Sequence, residues 1–252
     1  MEMDRLVSIV VPVYNAGAYI EETIAMVCRQ TYGSWELLLV DDGSTDGSRE
    51  KIAAWSRKDG RIRLIAKEEN GGAALARNTG IDHAAGRYVA FLDADDIWME
   101  DKLEKELRFM EEKNAAFAFT AYEFGDEQAH GTGKVVNVPE TLSYREALSR
   151  TVIFTTTVMF DLTKIGKETV KMPNVPSEDT ATWWKVLRKG YTAYGLNEVL
   201  TIYRRPARSL SSNKCKAVAR IWNLYRKEEK LSVPYSLWNF AGWAWRAVCR
   251  RI

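Results

Sequence analysis

Tyr88-Val89-Ala90-Phe91-Leu92-Asp93-Ala94-Asp95-Asp96 is an apolar run that ends abruptly in clustered carboxylates. Such a run reads as a buried strand whose carboxyl end carries negative charge, and open α/β sheets bind ligands at that edge. Like charges gathered there repel one another unless something positive lies between them. A hard divalent cation with oxygen ligands is the usual answer. A solvated turn is the alternative for an isolated Asp-x-Asp.

Working outward, the preceding ninety residues alternate strand and helix patterns. Val7-Ser8-Ile9-Val10-Val11-Pro12-Val13 is almost continuously apolar, as expected of a strand buried on both faces. A helix is expected from Ala18 to Arg29, then a strand at Trp35–Val40 that ends in Asp41-Asp42-Gly43-Ser44-Thr45-Asp46. Asp46 is placed to cap the helix running towards Trp55. A short strand at Arg63–Ala66 precedes Asn70-Gly71-Gly72, which opens a helix through Ala84. The β-α-β-α-β-α-β order predicts a parallel sheet with helices on both faces.

Beyond the Asp cluster the pattern predicts a charged helix at Lys102–Lys113 and a strand at Ala116–Phe124. A hairpin or loop over Gly125–Pro139 and a strand at Thr155–Phe160 follow. Ser177-Glu178-Asp179 is expected to precede a helix through Lys189, and two short strands are expected around Asn197. From Lys214 the chain reads as helical, broken at Pro234.

Composition narrows the function classes. No apolar run approaches the roughly 20 residues of a membrane span, and the acidic start Met1-Glu2-Met3-Asp4-Arg5 does not resemble a secretory signal. Cys28, Cys215 and Cys249 are too scattered for a disulfide framework or a zinc cluster, which points to a reducing cytosol. With His83 and His130 the only histidines, a histidine-based metal site is not expected. The net charge of +2 hides an asymmetry: residues 204–252 carry +10 and the rest of the chain −8. A basic tail on an acidic body suits an anionic partner. Nucleic acid is set aside, because the body is acidic and no recognition module is present.

Some residues suggest chemistry by type and place. Tyr14, just past the first strand, can stack on a planar base, or can be a core aromatic. Asp42 can accept a hydrogen bond from a base N–H, or can simply form a turn. Arg77 can reach phosphate or the carboxylate cluster, or can make a surface ion pair. No G-x-G-x-x-G follows the first strand, so the dinucleotide fingerprint is absent.

Taken together, Val10-Val11-Pro12-Val13-Tyr14-Asn15, Val40-Asp41-Asp42-Gly43-Ser44-Thr45-Asp46, Ala76-Arg77-Asn78-Thr79-Gly80 and Phe91-Leu92-Asp93-Ala94-Asp95-Asp96 resemble the family-2 inverting glycosyltransferases of bacterial cell-surface polysaccharide synthesis. The motifs cover residues 5–100, and Ser177-Glu178-Asp179 extends the likeness to residue 210. The resemblance implies a GT-A fold, that is, a Rossmann-like α/β arrangement with a mostly parallel sheet and helices on both faces. Residues 1–213 would form it, with a nucleotide-sugar half at 1–100 and an acceptor half at 101–213. A basic segment of C-terminal amphipathic helices, 214–252, would follow.

The resemblance also implies roles. Pro12, Tyr14 and Asp42 would hold the nucleobase of a UDP-sugar. Arg77 and Asp93 would contact nucleotide and sugar, and Asp95 would ligate Mn²⁺ or Mg²⁺. Asp179 would be the general base, with Glu178 positioning a glycan or lipid-linked glycan acceptor. Relatives often carry a metal-binding histidine after a Tyr-Arg pair, where this chain has Pro206. Arg204, Arg205 or Arg208 would then share in neutralising the diphosphate.

In the tail, Trp238, Ala241, Trp245, Val248, Cys249 and Ile252 fall on one helical stripe. Arg246 and Arg250 lie opposite, and Trp243 falls on the arginine side. Trp and Arg on an amphipathic helix suit an anionic membrane surface, which would place the protein at the cytoplasmic face of the cell membrane. Docking on the domain, or on a second copy in a homo-oligomer, is the alternative. Two other functions remain open: a non-catalytic glycosyltransferase-like binding subunit, and a nucleotidyltransferase with an α/β nucleotide site.

Overall fold

In the computed structural model, which describes residues 5–205 and 214–249, β1 (Val7–Val13) runs through the middle of a sheet. It pairs in parallel with β2 (Trp35–Asp41) on one side and β4 (Tyr88–Phe91) on the other. Six of its seven residues are fully buried, as an apolar strand between two helical layers must be. Pro12 is the exception, and its place has a reason. By strand parity its nitrogen lies on the same side as the Val10 carbonyl, which accepts the Leu92 amide (3.1 Å) where β4 ends. Proline therefore sits where β1 has no neighbour left to bond, and the sheet opens there.

The alternating pattern forms as expected. α1 (Ile20–Cys28) leads to β2, α2 (Ser48–Ser56) to β3 (Ile62–Ala66), and α3 (Ala73–His83) to β4. β5 (Ile97–Trp98), α4 (Lys102–Glu112), β6 (Phe117–Gly125), β7 (Gly131–Val136), β8 (Thr141–Leu142) and α5 (Tyr144–Ser149) follow. A 3-10 turn at Thr155–Thr157 enters β9 (Val158–Asp161), then come α6 (Leu162–Ile165), α7 (Lys167–Val170), α8 (Glu178–Arg188) and β10 (Ala193–Arg204). The strand order is β3-β2-β1-β4-β9-β6-β10-β5. β9 is antiparallel to both β4 and β6, and β10 is parallel to β6. The first three strands build in one direction from β1 and β4 in the other, so the topological switch point lies between β1 and β4.

Two apolar layers cover the sheet. Ile20, Ile24, Ile52, Leu103 and Leu107 pack on one face. On the other, Ile81 joins Phe91, Phe117, Phe160, Trp183 and Trp184. Gly80 brings α3 hard against β1, since a Cβ there would lie 2.4 Å from Val10 Cγ1.

Some expectations need correction. The two strands foreseen around Asn197 are one, β10, with register shifts between Leu196 and Thr201. Asn197 lies at that irregularity and accepts the Val138 amide (2.9 Å), so a turn-forming residue makes a bulge. Asp46 lies one residue before the α2 N-cap, Gly47, yet its carboxylate accepts from the Ser48 amide (3.1 Å) and from Gly17 N (2.7 Å). Glu178 and Asp179 form the first turn of α8 rather than preceding it.

At the C-terminal end, α9 (Lys214–Asn223) runs into a π-helical turn at Leu224–Glu228, and α10 spans Val233–Cys249. The break precedes Pro234, which sits in the first turn of α10 where its missing N–H is harmless. Ile221, Leu224 and Tyr225 belong to the apolar core on the α8 side. Tyr225 stacks on Trp184 at 5.2 Å, and Arg188 donates to Glu229 (2.7 Å). Among the described residues, no helix is long and apolar enough to cross a membrane.

Candidate active site

At the switch point the open end of the sheet forms a cavity of about 580 Å³. Pro12, Tyr14, Asp42, Arg77, Asp93 and Asp95 all line it, so the six donor-half residues singled out from sequence meet around one space. Glu178 and Asp179 are not in its wall. They reach it through Arg77.

Tyr14 follows β1 and keeps more than half of its surface exposed, a ring at the mouth. Asp42 follows β2 and is buried. Its carboxylate accepts the Gly71 amide (3.1 Å) and the Gly72 amide (2.7 Å) at the start of α3, and it pairs with Lys67. A carboxylate at the free N–H groups of a helix start is electrostatically favoured. Gly72 is what lets this loop close, since its φ of +86° is a backbone that residues with a side chain rarely adopt.

Arg77 is buried in α3, which rules out the exposed ion pair. Its Nη2 donates to Asp93 Oδ1 (2.7 Å) and its Nη1 to Glu178 Oε1 (2.9 Å). Burial works against its charge, but Asp93, Glu178 and Asp179 together hold the guanidinium firmly protonated. Its Nε has no partner. Burial and the neighbouring Asp179 push the Glu178 carboxyl above its usual range, against the pull of Arg77. Ser177, just before this pair, holds a left-handed backbone (φ 63°, ψ 48°), as do Asn15, Asn114, Ala129 and Lys230 elsewhere in the chain. Thr155 donates to Asp179 Oδ2 (3.3 Å).

The Asp93–Asp96 turn is pinned from several sides. Thr23 donates to the Ala94 carbonyl (2.7 Å), and Arg204 Nε to that of Asp95 (2.7 Å). Asp96, which drew no separate role from sequence, is buried. It accepts from Thr156 Oγ1 (2.6 Å) and from the Arg204 amide (3.1 Å). Burial, with Asp93 and Asp95 close by, pushes the Asp96 carboxyl well above its usual range. Thr156 also accepts the Asp93 amide (3.3 Å), so one hydroxyl ties the two ends of the turn together. Its only signal in the sequence is the run Thr155-Thr156-Thr157 at the start of an apolar strand.

Asp95 differs from both neighbours. Burial and the charge of Asp93 push its carboxyl up. Arg77 occupies one oxygen of Asp93, and the two oxygens of Asp96 are taken. The negative charge left over is on Asp95 and the second oxygen of Asp93, an oxygen-only donor set that fits a hard divalent cation. Among the described residues no three or more His, Cys, Asp or Glu gather to hold a metal. A cation here would therefore have few protein ligands. The charge of Arg204 draws the Asp95 carboxyl down, while its guanidinium bonds the Asp95 and Glu127 carbonyls and Glu22 and lies over the Tyr19 ring. Arg205 is exposed, with its guanidinium 5.1 Å from the Phe124 ring centre. Pro206 and Arg208 lie outside the described residues.

Comparison with known proteins agrees with this geometry. The family model described as glycosyl transferase family 2 matches residues 8–161. The chain is 45% identical over 248 residues to TuaG of Bacillus subtilis (strain 168), proposed to be a glycosyltransferase of teichuronic acid biosynthesis, and 98% of each chain is covered. It is 38% identical over 240 residues to WfgD of Escherichia coli, with 94% of this chain and 92% of WfgD covered. WfgD is named a UDP-Glc:α-D-GlcNAc-diphosphoundecaprenol β-1,3-glucosyltransferase. Among solved structures, the mannosyltransferase PcManGT of Pyrobaculum calidifontis, in complex with GDP-Man and Mn²⁺, superposes with a TM-score of 0.73 at 21% identity. The match covers 94% of this chain and 68% of PcManGT, and it shows the shared GT-A fold.

Proposed function

The chain belongs to glycosyl transferase family 2, with relatives named for bacterial surface-polysaccharide synthesis, and from that premise we propose an inverting transfer from a UDP-sugar to a lipid-linked glycan at the cytoplasmic face of the cell membrane. The single observation that carries this reading is the cavity itself. Pro12, Tyr14, Asp42, Arg77, Asp93 and Asp95 surround it, and Arg77 ties it to the first turn of α8.

Inverting transfer is one in-line displacement at the anomeric carbon. The base stacks on Tyr14 beside Pro12. Asp42, oriented by the Gly71 and Gly72 amides, reads the imide N–H, and Lys67 is the partner it exchanges. Arg77 and Asp93 hold the sugar end of the donor. A divalent cation, Mn²⁺ or Mg²⁺, held by Asp95 would supply Lewis-acid stabilisation of the departing diphosphate. Asp179 takes the proton of the acceptor hydroxyl, a positioned base being worth about 10²–10⁴-fold. Glu178, fixed by Arg77, orients that acceptor. In this reading residues 1–100 serve the donor, 101–213 the acceptor, and 214–252 the anionic membrane surface.

A screen of nucleotide sugars by thermal stabilisation and hydrolysis, with and without Mn²⁺, tests the donor half. Transfer to a GlcNAc-diphospholipid in detergent tests the acceptor half. A UDP-sugar should stabilise the protein most, and more so with Mn²⁺. If no nucleotide sugar binds, the reading fails.

A further inference from the structure

Helix α10 has two faces that differ in kind. Its inner face is docked. Ser236 and Asn239 are buried, Phe240 lies between Trp222 and Trp243 (6.1 and 5.5 Å), and Trp243 Nε1 donates to Thr151 Oγ1 (3.1 Å). Arg246 donates to Ser149 Oγ (3.0 Å) at its rim. This explains why Trp243 falls on the arginine side of the helical stripe: that side meets the protein.

The outer face has no partner of its own kind. Trp238 is 78% exposed, Trp245 71% and Leu237 54%. Spacings of three and four residues put Trp238, Ala241 and Trp245 in one row, and Leu237 is beside it. Two indoles in one such row in water are costly, and the helix does not need them to dock, because docking is done by the opposite side. Charge decides between a bilayer and a second copy of the chain. Residues 214–252 carry nine Lys and Arg against two Glu. A symmetric contact would bring two such basic segments together, whereas an anionic bilayer attracts them. Indoles are also what the headgroup zone accepts best.

We propose that the Leu237/Trp238/Trp245 face of α10 seats in the headgroup region of an anionic lipid bilayer. The membrane reading above is narrowed to one helix face, and the inference rests on that reading for its purpose alone. The inner face makes the contact rigid. Ser149 ends α5 and Thr151 follows it, and Tyr225 stacks on Trp184 of α8, whose first turn carries Glu178 and Asp179. A bilayer that holds α10 thus holds the acceptor half.

The test uses the full chain and vesicles of phosphatidylcholine with or without phosphatidylglycerol. The protein should float with the anionic vesicles, poorly with neutral ones, and less in about 1 M salt, where screening acts within ~3 Å. Brominated acyl chains should quench its indole emission. Trp238→Ser with Trp245→Ser should weaken vesicle binding roughly tenfold or more while UDP-sugar binding and the melting temperature stay unchanged. Equal flotation of that double variant overturns the proposal. So does a parent protein that ignores anionic vesicles, or one that sediments as a dimer which the double variant splits. Donor binding is read separately, so failure of the transferase reading and failure of this surface are distinguishable.

Discussion

Arg77 Nη1 lies 2.9 Å from Glu178 Oε1, across 101 positions of sequence. The same guanidinium holds Asp93, so one buried cation joins the nucleotide end of the cavity to the helix that carries the proposed base. Breaking a buried pair by removing one partner leaves the other charge uncompensated.

Arg77→Met should therefore cost about 3–5 kcal/mol in urea unfolding. Arg77→Lys should restore only part of it, because an ammonium cannot fork between two carboxylates. Wild-type stability in both variants would show that the pair adds nothing to the fold.

Asp179→Asn keeps the side-chain size and removes the proton acceptor. Turnover should fall by roughly 10²-fold or more with donor affinity little changed. Thr155→Val, which removes the hydroxyl that steadies Asp179, should lower turnover less. Loss of donor binding with turnover retained would reassign Asp179 to substrate binding.

Asp95→Asn separates stability from function. Burial and Asp93 push the native carboxyl up, so its charge is unwelcome at neutral pH, and the neutral amide should raise the melting temperature. Calorimetry should at the same time show weaker UDP-sugar binding that no longer responds to Mn²⁺ or to a chelator. A variant that still responds to Mn²⁺ refutes the metal role.

Asp42→Ala should weaken UDP and narrow the preference for UDP over CDP, since cytosine has no imide N–H. It also frees the Gly71 and Gly72 amides and Lys67, so Lys67→Met serves as the control. That control should lower stability while keeping the UDP/CDP ratio. An unchanged ratio in Asp42→Ala removes it from base recognition.

The Asp161–Arg87 pair predicts acid sensitivity. Burial pushes the Asp161 carboxyl up, but the Arg87 fork (3.1 and 2.8 Å) and Thr163 outweigh it and hold it below its usual range. A depressed carboxyl stabilises the fold fully above the unfolded-state value, about pH 4, and loses that contribution as the pH falls below it. The deficit of Asp161→Asn in urea midpoint should accordingly be largest at pH 7 and shrink towards pH 3. A pH-independent deficit would point to packing instead.

Much of the donor half is legible because central parallel strands are apolar throughout and end in chemically distinctive turns. β1, β2 and β4 announce both themselves and the residues that follow them. The acceptor half is less legible because its decisive contacts are long-range. Lys102 and Glu106 read as a solvated face of α4, yet both are fully buried and paired, with Lys102 Nζ 4.4 Å from the Trp98 ring centre. Nothing local distinguishes Asp96, which is buried under Thr156, from Asp95, which lines the cavity. Arg204, expected from sequence to share in neutralising the diphosphate, is fastened to the Asp95 and Glu127 carbonyls, contacts that no local pattern announces. The two faces of α10 follow from helical spacing, but which face is docked follows from Ser149, Thr151 and Trp222.

β4 is shared. It bonds to β1 on one side and to β9 on the other, and β9 bonds on to β6, so it joins the strands of residues 1–100 to those that follow. The two halves are therefore cut from one sheet, and neither has an edge of its own at the join. Severing the chain near residue 100 would bare β4 along its length and invite strand-to-strand aggregation. Variation in the segments at the open end of the sheet, at Asn70–Gly72, Thr155–Thr157 and Ser177–Asp179, leaves that undivided frame intact.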